Sequence, residues 1–188
     1  MVTIELVADA SGAAEGVANA PFDRRVAGAW DALAGVADPE IPIVSIVELG
    51  IVRGIRFDGA KLVVDTTPTY SGCPATDVIA ADIGKALAAV GLSNHRVAIR
   101  LAPPWTSDWI APEAKRKLRD FGIAPPHESA PKIDVAGISP LRRTAATIPC
   151  PRCGSMRTRL VAQFGSTACK AQYRCDDCAE PFDYFKPH

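Results

Sequence analysis

Apolar positions recur along the first two thirds of the chain with two periods, and the switches between them mark the elements. Val26, Trp30, Leu33 and Ala37 fall at helical spacing within residues 23–37 and predict an amphipathic helix. Asp38-Pro39-Glu40-Ile41-Pro42 ends it, because proline lacks an amide proton and restricts the residue before it. A strand is expected over 47–57, a hairpin turn at Asp58-Gly59, and a return strand in which Leu62 and Val64 alternate with Lys61, Val63 and Asp65. Ile79, Ile83, Leu87 and Val90 return to helical spacing. Val97, Ile99 and Leu101 then alternate with Arg96, Ala98 and Arg100 as a further strand. A last helix is predicted from about Ser107-Asp108 to Phe121-Gly122, where glycine can take the left-handed terminating conformation.

Periodicity then fades. Residues 124–147 carry Pro125, Pro126, Pro131 and Pro140 and read as a linker. Beyond it, short strands are expected at Thr158–Phe164, Thr167–Tyr173 and Phe182–Phe185, with Gly165-Ser166 turning between the first two. Residues 1–21, rich in Ala and Gly, read as a mobile extension. The expected class is therefore α+β. A small mixed α/β sandwich domain with a β-α-β crossover covers 22–123, a Pro-rich linker covers 124–147, and a β-rich four-cysteine ribbon covers 148–188.

Composition narrows the function classes. Hydrophobic residues make up 48% of the 188, enough for a packed core. Twenty-one basic residues balance 21 acidic ones, which lowers the expectation of a nucleic-acid partner. No apolar run approaches the roughly 20 residues of a membrane helix. Residues 1–21 contain Glu5, Asp9 and Glu15 and no Lys or Arg, so they lack the basic start of a secretion signal. A cytoplasmic protein with no membrane partner is expected.

The six cysteines divide into two sets. Cys150 and Cys153 in CPRCGS, with Cys175 and Cys178 in CDDCAE, form two Cys-x-x-Cys turns of the kind that each aim two sulfurs at one tetrahedral zinc ion. Iron in a rubredoxin-like four-thiolate site is the alternative. Disulfides would require an oxidising compartment. Cys169 shares strand parity with Cys175, but about 20 Å of extended chain separates them, so Cys169 reads as core.

Cys73 stands alone in TPTYSGCP. On a β-α-β crossover this loop and APPWTSDW leave the carboxyl edge of neighbouring parallel strands, which places Cys73 near Pro104, Trp105 and Thr106. The loop holding Asp38 and Glu40 is a candidate third member of that edge. Pro74 suits a first helical position and would put Cys73 at the N-cap, where free amides and the helix dipole favour a thiolate; Asp77 opposes this. A small thiol filling a packed turn is the competing reading, and packing is the competing reading for Trp105 and Trp109. His95, His127 and His188 have no ligand spacing to the cysteines. Lys115, Arg116, Lys117 and Arg119 read as a solvated helix face, with a docking surface for an acidic partner as the sharper alternative.

The segments DPEIPIVSIVELGIVRGI, TPTYSGCPATDVI and LAPPWTSDWI resemble the small α/β domain of SufT-type iron–sulfur maturation factors, which lack a ribbon. The tail FGSTACKAQYRCDDCAEPFDYF is similar to that of the PaaD (PaaJ) family of accessory proteins of the ring-1,2-phenylacetyl-CoA epoxidase system. The resemblance spans about residues 22 to 186. It implies an accessory role in aerobic phenylacetate breakdown, non-catalytic in itself, assisting iron–sulfur cluster maturation or maintenance of the epoxidase. The implied partners are the epoxidase components, especially the iron–sulfur flavin reductase, with a homodimer as a further expectation. It implies Cys73, Asp38 and Glu40 as contacts for iron or a transient iron–sulfur cluster, with Ser71, Gly72, Trp105 and Thr106 along the site edge. Cys150, Cys153, Cys175 and Cys178 become the ligands of a structural zinc. Pro187-His188 stands where some relatives have a further cysteine, so no role carries over there.

Two other classes compete. A thiol enzyme using Cys73 needs a general base, and Asp77, His95, Asp38 and Glu40 are the candidates. A ribbon that binds nucleic acid or protein as an adaptor has six Lys/Arg against four Asp/Glu over 148–188.

Overall fold

In a computed structural model, described here for residues 4–7, 24–70, 72–126 and 148–187, the chain forms two compact units. Of the described residues, the first comprises those up to Trp105 together with Trp109–Ala111; the second comprises Thr106–Asp108 and those from Pro112 onward. Each contains one four-stranded sheet, and the fold is α+β.

The first unit contains β1 (Ile4–Val7), α1 (Arg24–Ala34), β2 (Val52–Asp58), β3 (Lys61–Thr66), α2 (Thr76–Ala89) and β4 (His95–Arg100), with strand order β1-β4-β3-β2. The crossover expected from sequence is present: β3 runs parallel to β4, from Leu62 opposite His95 to Thr66 opposite Ile99, and α2 connects them. Helices α1 and α2 pack on one another and on β2 and β4. Leu33, Leu62, Val64, Ile83, Leu87 and Val97 are buried in this unit.

Several expectations change. Residues 4–7, assigned to a mobile extension, form edge strand β1 parallel to β4. The α1 face is rotated: Ala29 and Leu33 are the buried pair, and Ala37 lies beyond the helix, bridged to Ser45. The strand expected from 47 starts only at Val52. Before it, the Ser45 hydroxyl accepts from the Glu48 amide at 3.1 Å while the Glu48 carboxylate accepts from the Ser45 amide at 2.9 Å. This reciprocal capping winds the chain into turns. The hairpin loop is Gly59-Ala60, closed by Asp58 opposite Lys61, with Gly59 at φ +58°. Strand β3 does not alternate: five of its six residues are buried, because it lies between β2 and β4 and its Asp65 is held by Arg56 and by Arg100, the latter at 2.9 Å.

The second unit contains α3 (Pro112–Phe121), β5 (Ile123–Ala124), β6 (Thr158–Ala162), β7 (Lys170–Cys175) and β8 (Pro181–Phe185), in the order β5-β8-β7-β6. The last helix expected from sequence is therefore two elements, a single 3-10 turn at Ser107–Trp109 and α3, and Gly122 ends α3 at φ +95° as anticipated. Helix α3 clusters with the ribbon rather than with the first unit, and Ile123–Ala124, placed at the domain end and linker start, pairs with β8 as a ribbon strand. The first two ribbon strands are shorter than expected and the second begins at Lys170 instead of Thr167, while the third starts one residue earlier, at Pro181. Ala124, Ile148, Cys150, Ala171, Cys175, Phe182 and Tyr184 form the core, with Tyr173 stacked on Phe182 at 5.9 Å. Among the described residues, no helix is long and apolar enough to cross a membrane.

Candidate functional site

Two turns bring the four ribbon cysteines together. Cys150 follows Pro149, and the Cys150 amide donates to the Ser155 carbonyl at 2.9 Å; the Gly154 amide donates back to the Cys150 carbonyl at 2.9 Å. At the other turn the Cys175 amide, at the end of β7, donates to the Glu180 carbonyl at 2.9 Å. All four sulfurs lie within 4.8 Å of one another, with Cys150–Cys178 at 3.7 Å and Cys153–Cys175 at 3.6 Å. A tetrahedron with metal–sulfur bonds of about 2.3 Å has edges of about 3.8 Å. The donor set therefore fits a tetrathiolate zinc or iron ion, and the separations exceed the roughly 2.05 Å of a disulfide. The Cys178 amide is the largest influence on Cys175 and lowers its pKa, favouring the ligating thiolate. Cys150 and Cys175 are buried, while Cys153 and Cys178 are exposed. Cys169 is buried beside the Thr167 hydroxyl at 3.0 Å and is not among the four, as its sequence position indicated.

The two turns are cross-linked by contacts that sequence spacing did not suggest. Asp177, inside the second turn, accepts from Ser155 and pairs with Arg157; Asp176 pairs with Arg159 at 3.1 Å, and Glu180 with Arg152 at 3.3 Å. The Asp-Asp dipeptide between the ligand cysteines carried this information, but nothing in the sequence identified its partners. The first turn is followed by Gly154 at φ +73°, and the second by Ala179 at φ +61°, which for a residue with a Cβ is strained. Replacing Ala179 with glycine should relieve that strain and, after glycine's greater unfolded-state entropy, raise ribbon stability by about 0.5–1 kcal/mol. A higher thermal midpoint of the metal-loaded protein would record it; an unchanged or lower midpoint contradicts it.

At the first unit's sheet edge, Cys73 lies on the loop from β3 to α2. Helix α2 starts at Thr76 with Ala75 as its cap, so the N-cap position expected for Cys73 is not observed; the Thr76 hydroxyl donates instead to the Cys73 carbonyl at 2.9 Å. The thiol is half-buried. Burial pushes its pKa up, the Ala75 amide opposes this, and the negative charges of Glu40 and Asp38 push it up further, with Thr76 acting in the lowering direction. Cys73, Glu40 and Asp38 are thus brought into one electrostatic neighbourhood. Asp38 also shapes its own loop, where its Oδ1 accepts from the amides of Glu40 and Ile41 at 2.9 and 2.8 Å and so fixes the turn that the two prolines punctuate.

The remaining edge residues fare differently. Ser71 lies outside the described residues. Gly72 is exposed on the Cys73 loop. Trp105 does not line an open edge: it is buried, and its indole N–H donates to the Leu49 carbonyl at 3.0 Å, the partner a buried indole requires. Thr106 is half-buried in the second unit, and its hydroxyl accepts from the Asp108 amide at 3.4 Å. His95 sits at the start of β4 with Nδ1 3.0 Å from the Leu92 carbonyl, a strand-edge contact.

Residues 136–186 match the family model described as the PaaD zinc beta ribbon domain, and residues 27–99 match that of an iron–sulfur cluster assembly protein. Over 157 residues the chain is 46% identical to the putative D subunit of the 1,2-phenylacetyl-CoA epoxidase of Escherichia coli, covering 84% of this chain and 90% of that protein. The chain belongs to the PaaD family. Its PaaD ribbon match contains all four clustered cysteines, and the assembly-protein match contains Asp38, Glu40 and Cys73. Over 89 residues the chain is also 38% identical to the Fe-S protein maturation auxiliary factor YitW of Bacillus subtilis, covering 46% of this chain and 86% of that one. A crystal structure of a domain of unknown function, DUF59, from Bacillus anthracis is 30% identical with a TM-score of 0.47, over 50% of this chain and 92% of that one.

Proposed function

We propose that this protein is an accessory factor of aerobic phenylacetate catabolism that helps mature or maintain the iron–sulfur cluster of the phenylacetyl-CoA epoxidase reductase. Cys73, with Asp38 and Glu40, contacts the iron or cluster in transit, and the ribbon holds one structural zinc. The reading is supported by a half-buried thiol that feels the negative charge of two carboxylates, Glu40 and Asp38. Negative charges that disfavour a free thiolate attract a cation, and a metal ion takes the proton's place on sulfur. The 46% identity to the Escherichia coli epoxidase component supplies the pathway.

The same electrostatics weigh against a thiol enzyme, which needs a depressed pKa or an adjacent base. Alkylation of Cys73 by iodoacetamide should reach its half-maximal rate above the ordinary thiol range. Glu40→Gln should lower that midpoint and raise the rate at neutral pH, because removing a negative charge favours the thiolate. A near-neutral midpoint in the unaltered protein would revive the enzyme reading. Nucleic-acid binding by the ribbon is disfavoured because Arg152, Arg157 and Arg159 are already paired with carboxylates.

The decisive experiment expresses Cys73→Ser in cells that depend on the epoxidase. The reductase should lose most of its iron and acid-labile sulfide, while zinc bound to the variant stays at the unaltered level. Normal reductase cluster content would refute the proposal.

A further inference from the structure

We propose that a cavity within the ribbon unit binds an acidic segment of a partner protein. The cavity has a volume of about 490 Å³, within the range of ligand-holding sites, and is lined by Lys115, Arg119, the metal-site residue Cys150, Gly154 and the prolines Pro125, Pro126, Pro149 and Pro151. The four basic residues of α3 are not equivalent. Arg116 is tied to Glu113 and, at 3.6 Å, to Asp120. Lys115 and Arg119 have no ion-pair partner among the described residues, and both face the cavity. They are four positions apart on the helix, a spacing at which like charges repel and which an anion bridging them relieves.

The walls select the class of anion. Polyphosphate sites surround their ligand with backbone amides. Prolines have no amide proton, and the Gly154 amide at the rim is committed to the Cys150 carbonyl at 2.9 Å. Cys150 is buried, its sulfur turned to the cysteine cluster and its amide donating to the Ser155 carbonyl, so what remains is two flexible cations above a rigid apolar wall. That combination suits carboxylates on aliphatic stems, as an Asp/Glu-rich segment presents them. The proposal is independent of the role given to Cys73.

The test measures fluorescence anisotropy of a labelled hexaglutamate peptide with the zinc-loaded full chain at low salt. Saturable binding is expected, weakening roughly tenfold in Lys115→Gln/Arg119→Gln as charge-assisted contacts are lost. Lys115→Gln alone should fall between, which keeps the test valid if the double variant loses zinc. Lys61→Gln, at the exposed first position of β3, should bind like the unaltered protein. The proposal is overturned by no saturable binding, by double-variant binding as tight as the original, by equal weakening in Lys61→Gln, or by displacement with inorganic phosphate at concentrations matching the peptide. Reductase cluster content reports on Cys73 alone, so the two proposals fail separately.

Discussion

In Cys175→Ser the ribbon should lose its metal and its sheet should come apart. Cys175 is fully buried in the ribbon core, ends β7, and pairs in register with Thr158 of β6. Loss of its thiolate therefore breaks the metal site and the sheet together. Structural zinc contributes about 10–16 kcal/mol to folding in zinc-finger peptides, as much as the whole stability of an ordinary domain at about 5–15 kcal/mol. A ribbon with so small a core has little else to replace it. The expected readings are zinc at background and rapid proteolysis within 158–175. Cys169→Ser is the matched control, since that thiol is also buried but outside the cluster. It should keep stoichiometric zinc. Metal retained in Cys175→Ser, or lost in Cys169→Ser, would contradict the four-ligand assignment. Acid should act in the same direction as the mutation. In the metal-free cluster the Glu180 amide lowers the Cys178 pKa, but partial desolvation against its neighbours and the three other thiols push it up to about 12. A metal must displace that proton, so apparent affinity should climb as pH rises.

The features legible in sequence are those whose partners are local or whose chemistry fixes a spacing. Two Cys-x-x-Cys turns specify a tetrathiolate site wherever the intervening strands begin and end, and the cysteine cluster survives a second strand that starts at Lys170 rather than Thr167. The β3-α2-β4 crossover is likewise local, with turn residues between clear periods. Strand β1 is different: four residues of alternating pattern, without punctuation, pair with β4 across the length of the unit. The Ser45–Glu48 turn had the residues of a capping box, but a run of apolar positions from Ile41 to Ile51 masked it. Pro74 after Cys73 satisfied the rule for a helix start, yet the helix begins two residues later, where Thr76 bonds back to the loop. That shift inverts the electrostatic expectation for Cys73. Without the N-cap, burial and the Asp38–Glu40 loop set its ionisation, and only the tertiary fold determines that the loop lies there.

Gly50→Ala should be the most damaging glycine-to-alanine substitution among the described residues of the first unit. Gly50 has φ +69°, and a Cβ built there would lie 2.7 Å from the Trp109 Cβ and 2.8 Å from its carbonyl oxygen. Neither neighbour can yield cheaply. The Trp109 ring lies under the Arg53 guanidinium at 3.5 Å, and the next residues are held by the Ala111 amide donating to the Glu48 carbonyl at 2.8 Å. Left-handed strain and overpacking together predict a loss of about 2–5 kcal/mol. Gly59→Ala isolates the first term, because Gly59 has φ +58° with nothing within 4 Å of its Cβ position. It should cost only about 1–2 kcal/mol. Urea unfolding midpoints would separate the two, and equal losses would remove the steric argument. The effect should also reach Cys73. The Ile46 amide donates to the Val36 carbonyl at 3.0 Å and the Asp38 amide to the Val44 carbonyl at 2.9 Å, so the turns before Gly50 brace the Asp38–Glu40 loop. When Gly50→Ala pushes those turns away from Trp109, the carboxylates move off the thiol and its pKa falls. Alkylation of Cys73 at neutral pH should then quicken under conditions where the variant is still folded. An unchanged rate would mean that the loop holds its place beside Cys73 without the brace.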